Sequence, residues 1–194
     1  MAQQIIGIGA SANDGTGDPL RTAFDKVNDN DTELYNVSGW GYYQDNAAST
    51  ITVNTTPVKI TFNKLGANNN KSYLPKEIRG VSDLINATSF ITPIDLGDSY
   101  DLRLDFTINA KTGSPTLLDL VLDIGGGASP TINIVNRTIS LVRTPPYTIS
   151  VGFPIFCLGT FLTNGGQFFV NTDTGTVDVT ARSLFIKRDF KGDL

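Results

Sequence analysis

Alternating apolar and polar residues dominate the chain from residue 39 onward, and this pattern predicts β-strands. Five apolar side chains alternate with five polar ones over residues 100–109, which is typical of a strand with one buried and one wet face. Residues 118–124 repeat the alternation, and three glycines follow them. Further strands are predicted over residues 50–53, 57–62, 131–135, 138–142, 148–162, 167–171 and 176–187. Many short strands with turns rich in Gly and Pro favour a mainly β, antiparallel jelly-roll sandwich of eight or nine strands.

The predicted strand over residues 148–162 is apolar on both faces. One face carries Ile149, Val151, Phe153, Ile155, Cys157 and Phe161, and the other carries Phe156, Leu158 and Leu162. Such a strand must be covered on both faces, and the opposing sheet covers only one. We predict a subunit interface on the second face, with a covering loop or residues 74–87 as the alternative. The predicted interface residues are Phe153, Ile155, Phe156, Leu158, Phe161 and Phe169.

The first 38 residues predict an arm followed by one helix. Asp18 is placed as the helix N-cap and Pro19 as the first helical residue. Spacings of three and four then form an apolar seam, which needs a partner surface because a helix of about four turns is marginal alone. The seam residues are Leu20, Phe24, Val27 and Leu34, with Asp31 between the last two. Asp31 is either solvated after a slight rotation of the helix, or meets its copies on a symmetry axis, where it is protonated or binds a cation.

The run Asn13-Asp14-Gly15-Thr16-Gly17-Asp18-Pro19-Leu20 and the helix after it resemble the N-terminal module of tailed-bacteriophage virion proteins. The resemblance extends from residue 5 to about 35, and the family carries an aromatic residue where this chain has Asp31. It implies an attachment arm and helix over residues 1–38, and an outward head over residues 39–194. The implied anchor residues are Ile5, Ile6, Ile8, Asp14, Gly15, Gly17, Asp18, Pro19 and Leu20.

Residues 40–190 resemble a second family by pattern. The runs at 99–104, 147–161 and 183–188 are similar to those of the trimeric, tumour-necrosis-factor-like jelly rolls at the tips of phage fibres. This resemblance implies a threefold homotrimer that buries aromatic and β-branched residues at its axis.

Composition argues against histidine-based catalysis, nucleic-acid binding and membrane insertion. The chain has no histidine, which excludes Ser–His and Cys–His catalysis and imidazole metal sites. Its 15 basic and 19 acidic residues include no basic run, so we expect no nucleic-acid partner. The single cysteine, Cys157, is expected to be a free buried thiol. Asp101 with Asp105, and Asp119 with Asp123, are expected to be solvated charges on wet strand faces. No apolar run is long enough to span a bilayer, and no signal peptide is evident, so we expect no membrane insertion and assembly in the host cytoplasm.

The sequence therefore predicts a structural virion protein without enzymatic activity, cofactor or metal. The favoured form is a homotrimeric head fibre or capsid-decoration protein that docks through its N-terminus to the major capsid protein or another virion protein. The alternative is a tail-fibre or baseplate receptor-binding protein that recognises host surface glycans on an aromatic platform. The candidate glycan contacts are Trp40, Tyr42, Tyr43 and Tyr73, although packing at the join between helix and sandwich is the favoured interpretation for Trp40.

Overall fold

The structure is a computed structural model with one long helix and nine strands in its described residues, which are 4–11, 14–45, 49–63, 70–75, 78 and 83–192. Helix α1 spans Leu20–Asn36 and follows the arm, by which we mean the described residues 4–11 and 14–19. The strands are β1 (Gly39–Gln44), β2 (Ile51–Val53), β3 (Val58–Lys59), β4 (Ser99–Thr112), β5 (Leu117–Asp123), β6 (Asn133–Ser140), β7 (Tyr147–Phe156), β8 (Gln167–Thr172) and β9 (Thr176–Phe190). A short helix, α2 (Gly159–Asn164), separates β7 from β8.

The strand pairing is that of a jelly roll. Strand β5 pairs with β6, β4 with β7, β3 with β8, and both β1 and β2 with β9, all antiparallel. These nested pairs fall into two sheets: sheet 1 has the order β1-β9-β4-β7, with β2 also on β9, and sheet 2 has the order β3-β8-β5-β6. A long hairpin folded onto itself in this way, with its pairs shared between two facing sheets, defines the jelly roll. The predicted fold class is confirmed.

The core lies between the two sheets and follows the predicted alternation. The inward residues of β4 and β5 are almost completely buried, because each strand turns every second side chain toward the opposing sheet. They are Tyr100, Leu102, Leu104, Phe106 and Ile108 in β4, and Leu118, Leu120 and Leu122 in β5.

Strand β9 changes partner along its length, and a buried arginine holds the change. Its first part pairs with β2 and its second with β1, with Ala181 between them at a positive φ of 46°. The next residue, Arg182, is only 1% exposed, and its guanidinium donates hydrogen bonds from all three nitrogens. The acceptors are the carbonyl oxygens of Ser49, Thr61 and Val179, the Ser49 hydroxyl and the Asp45 carboxylate.

Strand β7 is shorter than the sequence predicts. It ends at Phe156, and residues that the sequence assigned to its far end form α2 instead. A short apolar run does not distinguish a strand from a buried helical turn, which explains the error. The strand lies at the edge of sheet 1, where Pro154 is tolerated because its missing N–H can face away from the ladder.

Three further expectations need correction. The chain forms one strand, β6, where two were predicted, and β1 was not predicted because its glycines and aromatic residues lack clear alternation. Pro19 rather than Asp18 is the N-cap of α1, since the Pro19 carbonyl accepts the Ala23 N–H at 3.0 Å. Asp123 is fully buried rather than solvated, because it accepts backbone N–H groups from the loop that follows β5.

Residues 74–87 supply apolar side chains to the core. Their central part, residues 76–77 and 79–82, lies outside the described residues, so the predicted helical turn is not assessed there. The described members Leu74, Ile78, Leu84 and Ile85 are all buried. The segment leaves Phe156 and Leu158 exposed, so within the described chain it does not cover the second apolar face of β7.

We expect Phe153→Ala to lower the free energy of unfolding by about 3–5 kcal/mol, because Phe153 is 5% exposed and packs edge-on against Phe168 at 5.7 Å. The same truncation at the exposed Phe24 of α1 should change the main transition by less than about 0.5 kcal/mol. Urea unfolding followed by circular dichroism measures both values. Similar costs for the two variants would contradict the placement of Phe153 in the core.

Candidate functional site

The arm folds back along α1 and is held there by polar contacts. The backbone N–H of Gln4 donates to Asn30 Oδ1 at 2.9 Å, and Asn30 Nδ2 donates to the Gln4 carbonyl oxygen at 2.9 Å. One turn nearer the helix start, Lys26 Nζ donates to the Ile5 carbonyl at 3.0 Å. These contacts join residues more than 20 positions apart, so the arm and α1 form one unit, which we call the anchor unit.

Two aspartates hold the second half of the arm, described residues 10–11 and 14–18, which we call the anchor loop. Asp14 accepts the backbone N–H groups of Ala10, Ser11 and Thr16 at 2.6, 2.7 and 2.9 Å. These hydrogen bonds, that from Thr16 foremost, lower the pKa of Asp14 to about 2. They favour the ionised carboxylate, and the charge in turn favours this loop conformation.

Asp18 ties the anchor loop to the start of the arm and to the helix. Its Oδ2 accepts the Gly7 N–H at 2.8 Å and the Lys26 ammonium at 2.7 Å, and its own N–H donates to the Gly7 carbonyl at 2.7 Å. The hydrogen bond from Lys26, followed by that from Gly7, lowers the pKa of the Asp18 carboxyl. Asp18 therefore joins arm and helix, a role that replaces the predicted capping role.

The two loop glycines have different reasons to be glycine. Gly15 has a φ of +73°, which favours a residue without a side chain. Gly17 lies against the start of the arm, where an added Cβ would approach the Gly7 carbonyl oxygen to 3.0 Å. The first is a requirement of backbone conformation, and the second is a requirement of close packing.

The apolar seam of α1 is open to solvent. Phe24 is 59% exposed, and Leu20, Val27 and Leu34 are exposed as well. Asp31 lies in the same row and is also exposed in the protomer. The polar contacts to the arm use other positions of the helix, so within the described chain the seam has no partner.

The arm of the same unit also carries exposed apolar residues. Ile8 is 89% exposed and Ile5 is exposed too, whereas Ile6 is half-buried. A group of large exposed apolar side chains is typical of an interaction site. We call the exposed side chains of Ile5, Ile8, Leu20, Phe24, Val27 and Leu34 the anchor stripe.

The outer face of sheet 1 carries an aromatic group. Trp40 of β1 stacks on Tyr73, with ring centroids 4.5 Å apart and an interplanar angle of 20°. Phe185 of β9 lies 5.7 Å from the Trp40 ring, and the Arg103 guanidinium of β4 lies 5.6 Å from the Phe185 ring. Trp40 is half-buried in this group, and its role as a glycan contact stays a prediction.

Beside this group runs a shallow groove of about 470 Å³. It forms where Gly152 of the edge strand β7 lies opposite Arg103, because glycine leaves the sheet surface uncovered at that point. Asp101, Ser150, Pro154 and Phe185 line it among others.

Exposed apolar residues cluster at one end of sheet 1. Ser99 pairs with Phe156 on one side and Phe190 on the other. The Gly97 N–H bonds to the Cys157 carbonyl, which places the neighbouring chain segments side by side. We call the exposed residues here the end patch: Leu96, Phe156, Leu158, Leu162 and Phe190. Phe156 is 66% exposed and the other members are exposed as well, so this surface has no partner within the described protomer.

The structure divides the predicted interface residues into two groups. Phe156 and Leu158 are exposed, and their interface role stays a prediction. The protomer itself buries the other four, which corrects their assignment: Phe153, Ile155, Phe161 and Phe169. The reason is that alternation along β7 sends Phe153 and Ile155 inward, while α2 turns Phe161 into the core.

The predicted glycan platform is also divided. Tyr43 is 2% exposed, and its hydroxyl accepts the Leu84 N–H at 3.1 Å, so its assignment as a glycan contact was wrong. Burial raises the pKa of that hydroxyl. Tyr73 is exposed, but one face of its ring is stacked on Trp40, and Tyr42 is half-buried.

The described residues hold no metal-binding cluster and no reactive thiol. Among them, no set of three or more Cys, Asp or Glu side chains is placed to hold a metal ion. Cys157 is buried, and desolvation raises the pKa of its thiol to about 11, so it stays protonated at neutral pH. No helix in this part of the chain has both the length and the apolar character to cross a bilayer.

Sequence reasoning missed the polar residues that hold the arm. Gln4, Lys26 and Asn30 carry no motif, and only the four-residue spacing of Lys26 and Asn30 on one helix face hints at a shared contact.

In comparisons with known proteins, the chain is similar to solved structures, but its sequence matches no family model or curated protein. Among solved structures, the chain is similar to Eiger TNF from S. frugiperda, at 10% identity over 81% of this chain and 95% of that chain, with a TM-score of 0.49. It is also similar to PRD1 vertex protein P5, at 10% identity over 81% and 99% of the two chains, with a TM-score of 0.42. A third likeness is to a Bacillus endospore appendage, a disulfide-linked pilus, at 10% identity over 80% and 90%, with a TM-score of 0.39. The fold assignment rests on the strand pairing itself.

The anchor loop should loosen in acid. Because the pKa of Asp14 is lowered from 3.8 to about 2, its ionised form stabilises the loop above pH ~4, and this contribution is lost as the pH falls toward 2. We expect the amide shifts of Ala10, Ser11 and Thr16 to titrate with a midpoint of about 2 in NMR spectra. Asp14→Asn should abolish that titration. A midpoint near 4 would contradict the hydrogen bonds to Asp14.

Proposed function

We propose that this chain is a structural virion protein: a homotrimeric head fibre or capsid-decoration protein that docks through residues 1–38 and projects the jelly roll outward. The anchor stripe carries the proposal. It is a set of six exposed apolar side chains on a unit that is held together by its own polar contacts.

The anchor unit suits docking because its shape is set before it meets a partner. The contacts of Asp14, Asp18, Lys26 and Asn30 hold the arm against α1, so less conformational entropy is lost on binding than for a free tail. The anchor stripe then supplies apolar area at roughly 25 cal/mol per Å² removed from water. The proposed partner is the major capsid protein or another virion protein with an apolar groove.

The homotrimer is supported by the outer face of sheet 1. The end patch and the groove beside Gly152 lie on the same sheet, one with protruding aromatic side chains and the other with a recess. A neighbouring copy that lays its β7 edge over this face buries both. Three linked anchor units then bind together, and multivalency raises occupancy above that of one anchor unit.

The alternative is a tail-fibre or baseplate receptor-binding protein, in which the same anchor unit docks to the tail instead of the capsid. Electron microscopy of particles that carry a labelled copy of the chain distinguishes the two. Label on the capsid agrees with the proposal, and label on the tail assigns the chain to the alternative.

The anchor stripe can be tested by one matched pair of substitutions. Phe24→Asp places a charge in the stripe and should reduce incorporation into particles by more than tenfold, since a buried aromatic anchor commonly contributes 2 kcal/mol or more, about 30-fold. Thr32→Asp adds the same charge at an exposed position outside the stripe and should leave incorporation unchanged. Co-sedimentation with particles, quantified by immunoblot, measures both. Normal incorporation of Phe24→Asp would refute the docking role.

The trimer can be tested by light scattering coupled to size-exclusion chromatography. We expect a mass of three chains for the wild type and of one chain for Phe156→Asp, with the head still folded by circular dichroism because Phe156 is outside the core. Val142→Asp alters another exposed apolar residue, away from the end patch, and should stay trimeric. A monomeric wild type would overturn the trimer.

A further inference from the structure

We propose that the outer face of sheet 2 binds an uncharged saccharide, in a groove between β5, β6 and β8 that we call the sheet-2 groove. Its volume is about 370 Å³, within the range of small-molecule sites. All of it lies within one protomer and on the sheet opposite to the proposed trimer surface. The site therefore does not depend on the proposed anchor or trimer.

The strand register places the polar lining in two adjacent rows. Asp119 of β5 lies between Thr138 of β6 and Asn171 of β8. Two residues further along β5, Val121 lies beside Asn136 of β6 on the same face of the sheet. With strands ~4.8 Å apart, a row of three residues spans about 10 Å, which suits one or two sugar rings.

These side chains have hydrogen-bonding capacity that the protein does not use. Asp119 Oδ1 accepts the Thr138 hydroxyl at 2.7 Å, whereas its second oxygen has no partner in the described chain. The side-chain amides of Asn133, Asn136 and Asn171 also make no hydrogen bond with other described residues, although they line the groove. A carboxylate beside several amides offers acceptors and donors together, which is what the adjacent hydroxyls of a sugar require.

Apolar atoms complete the lining. Val121 is half-buried on the floor, and Pro57 and Pro130 line the groove as well. Small apolar surfaces among a few placed polar groups match the C–H faces and hydroxyl edges of a pyranose ring.

The charge of the groove indicates an uncharged ligand. Asp119 is the acidic residue of the lining, and the whole chain has a net charge of −4, so both disfavour an anionic sugar. Arg137 also lines the groove, but it pairs in register with Leu120, whose side chain belongs to the core. The register thus places Arg137 on the other face of β6 from Thr138.

The test uses the full chain and immobilised polysaccharides of stated composition. The uncharged probes are dextran, mannan, galactan and oligomers of N-acetylglucosamine, and the acidic probe is polygalacturonate. Binding is measured by surface plasmon resonance for the wild type, Asp119→Ala, Asn136→Ala and a control, Asn109→Ala. Asn136 and Asn109 are both exposed strand asparagines, and Asn109 lies on β4 in the other sheet.

We expect at least one uncharged probe to bind the wild type and Asn109→Ala equally, and both groove variants to bind it at least tenfold more weakly. Asn136→Ala removes no hydrogen bond within the described protein, so its loss of binding reports on the groove rather than on folding. Three results would each overturn the proposal: no uncharged probe binds, only polygalacturonate binds, or Asn136→Ala and Asp119→Ala both bind as the wild type does. Loss of binding in Trp40→Ala with normal binding in Asp119→Ala would likewise overturn it.

Discussion

The buried guanidinium of Arg182 is the contact on which the pairing of β1 and β2 with β9 depends. It lies where β9 leaves β2 and pairs with β1, and it binds the chain on both sides of β2 through Asp45, Ser49 and Thr61. Taking this charge out of water is costly, and the cost is offset because every guanidinium nitrogen finds an acceptor. Once β9 is held in this way, it completes sheet 1 against β4 and sets the outer face where Trp40 and Phe185 meet.

The two sheets of the head differ in what they present to solvent. Sheet 1 carries an aromatic group, an open groove and the end patch, which together suit contact with another copy of the chain. Sheet 2 carries a polar groove with unused donors and acceptors, which suits a small hydroxylated ligand. The same alternation of β-strand side chains that builds one shared core thus leaves two chemically different outer surfaces. In the anchor unit, polar contacts hold the arm against α1, and apolar residues remain exposed for a partner.

Sequence reasoning succeeded where the pattern was local. The alternation in β4 and β5 identified their buried faces, and an antiparallel sandwich followed from the number and spacing of the strands. It failed where burial depended on distant segments. Phe153 and Phe156 are both apolar members of one strand, but the opposing sheet and Phe168 bury the first and leave the second exposed. Asp123 has the same strand spacing as Asp119, but the loop after β5 folds over it and supplies three N–H donors.

The sequence by itself determined the mainly β architecture, the presence of one helix near the N-terminus and the absence of histidine-based chemistry, because these follow from neighbouring residues and from composition. Only the tertiary structure decided that Asp18 holds the arm instead of capping α1, that Tyr43 belongs to the core, and that Asp119, Asn136 and Asn171 share one groove. The physical reason is distance along the chain. Each of these roles requires atoms from segments far apart in sequence, and their proximity is created by strand pairing and by the return of the arm along α1.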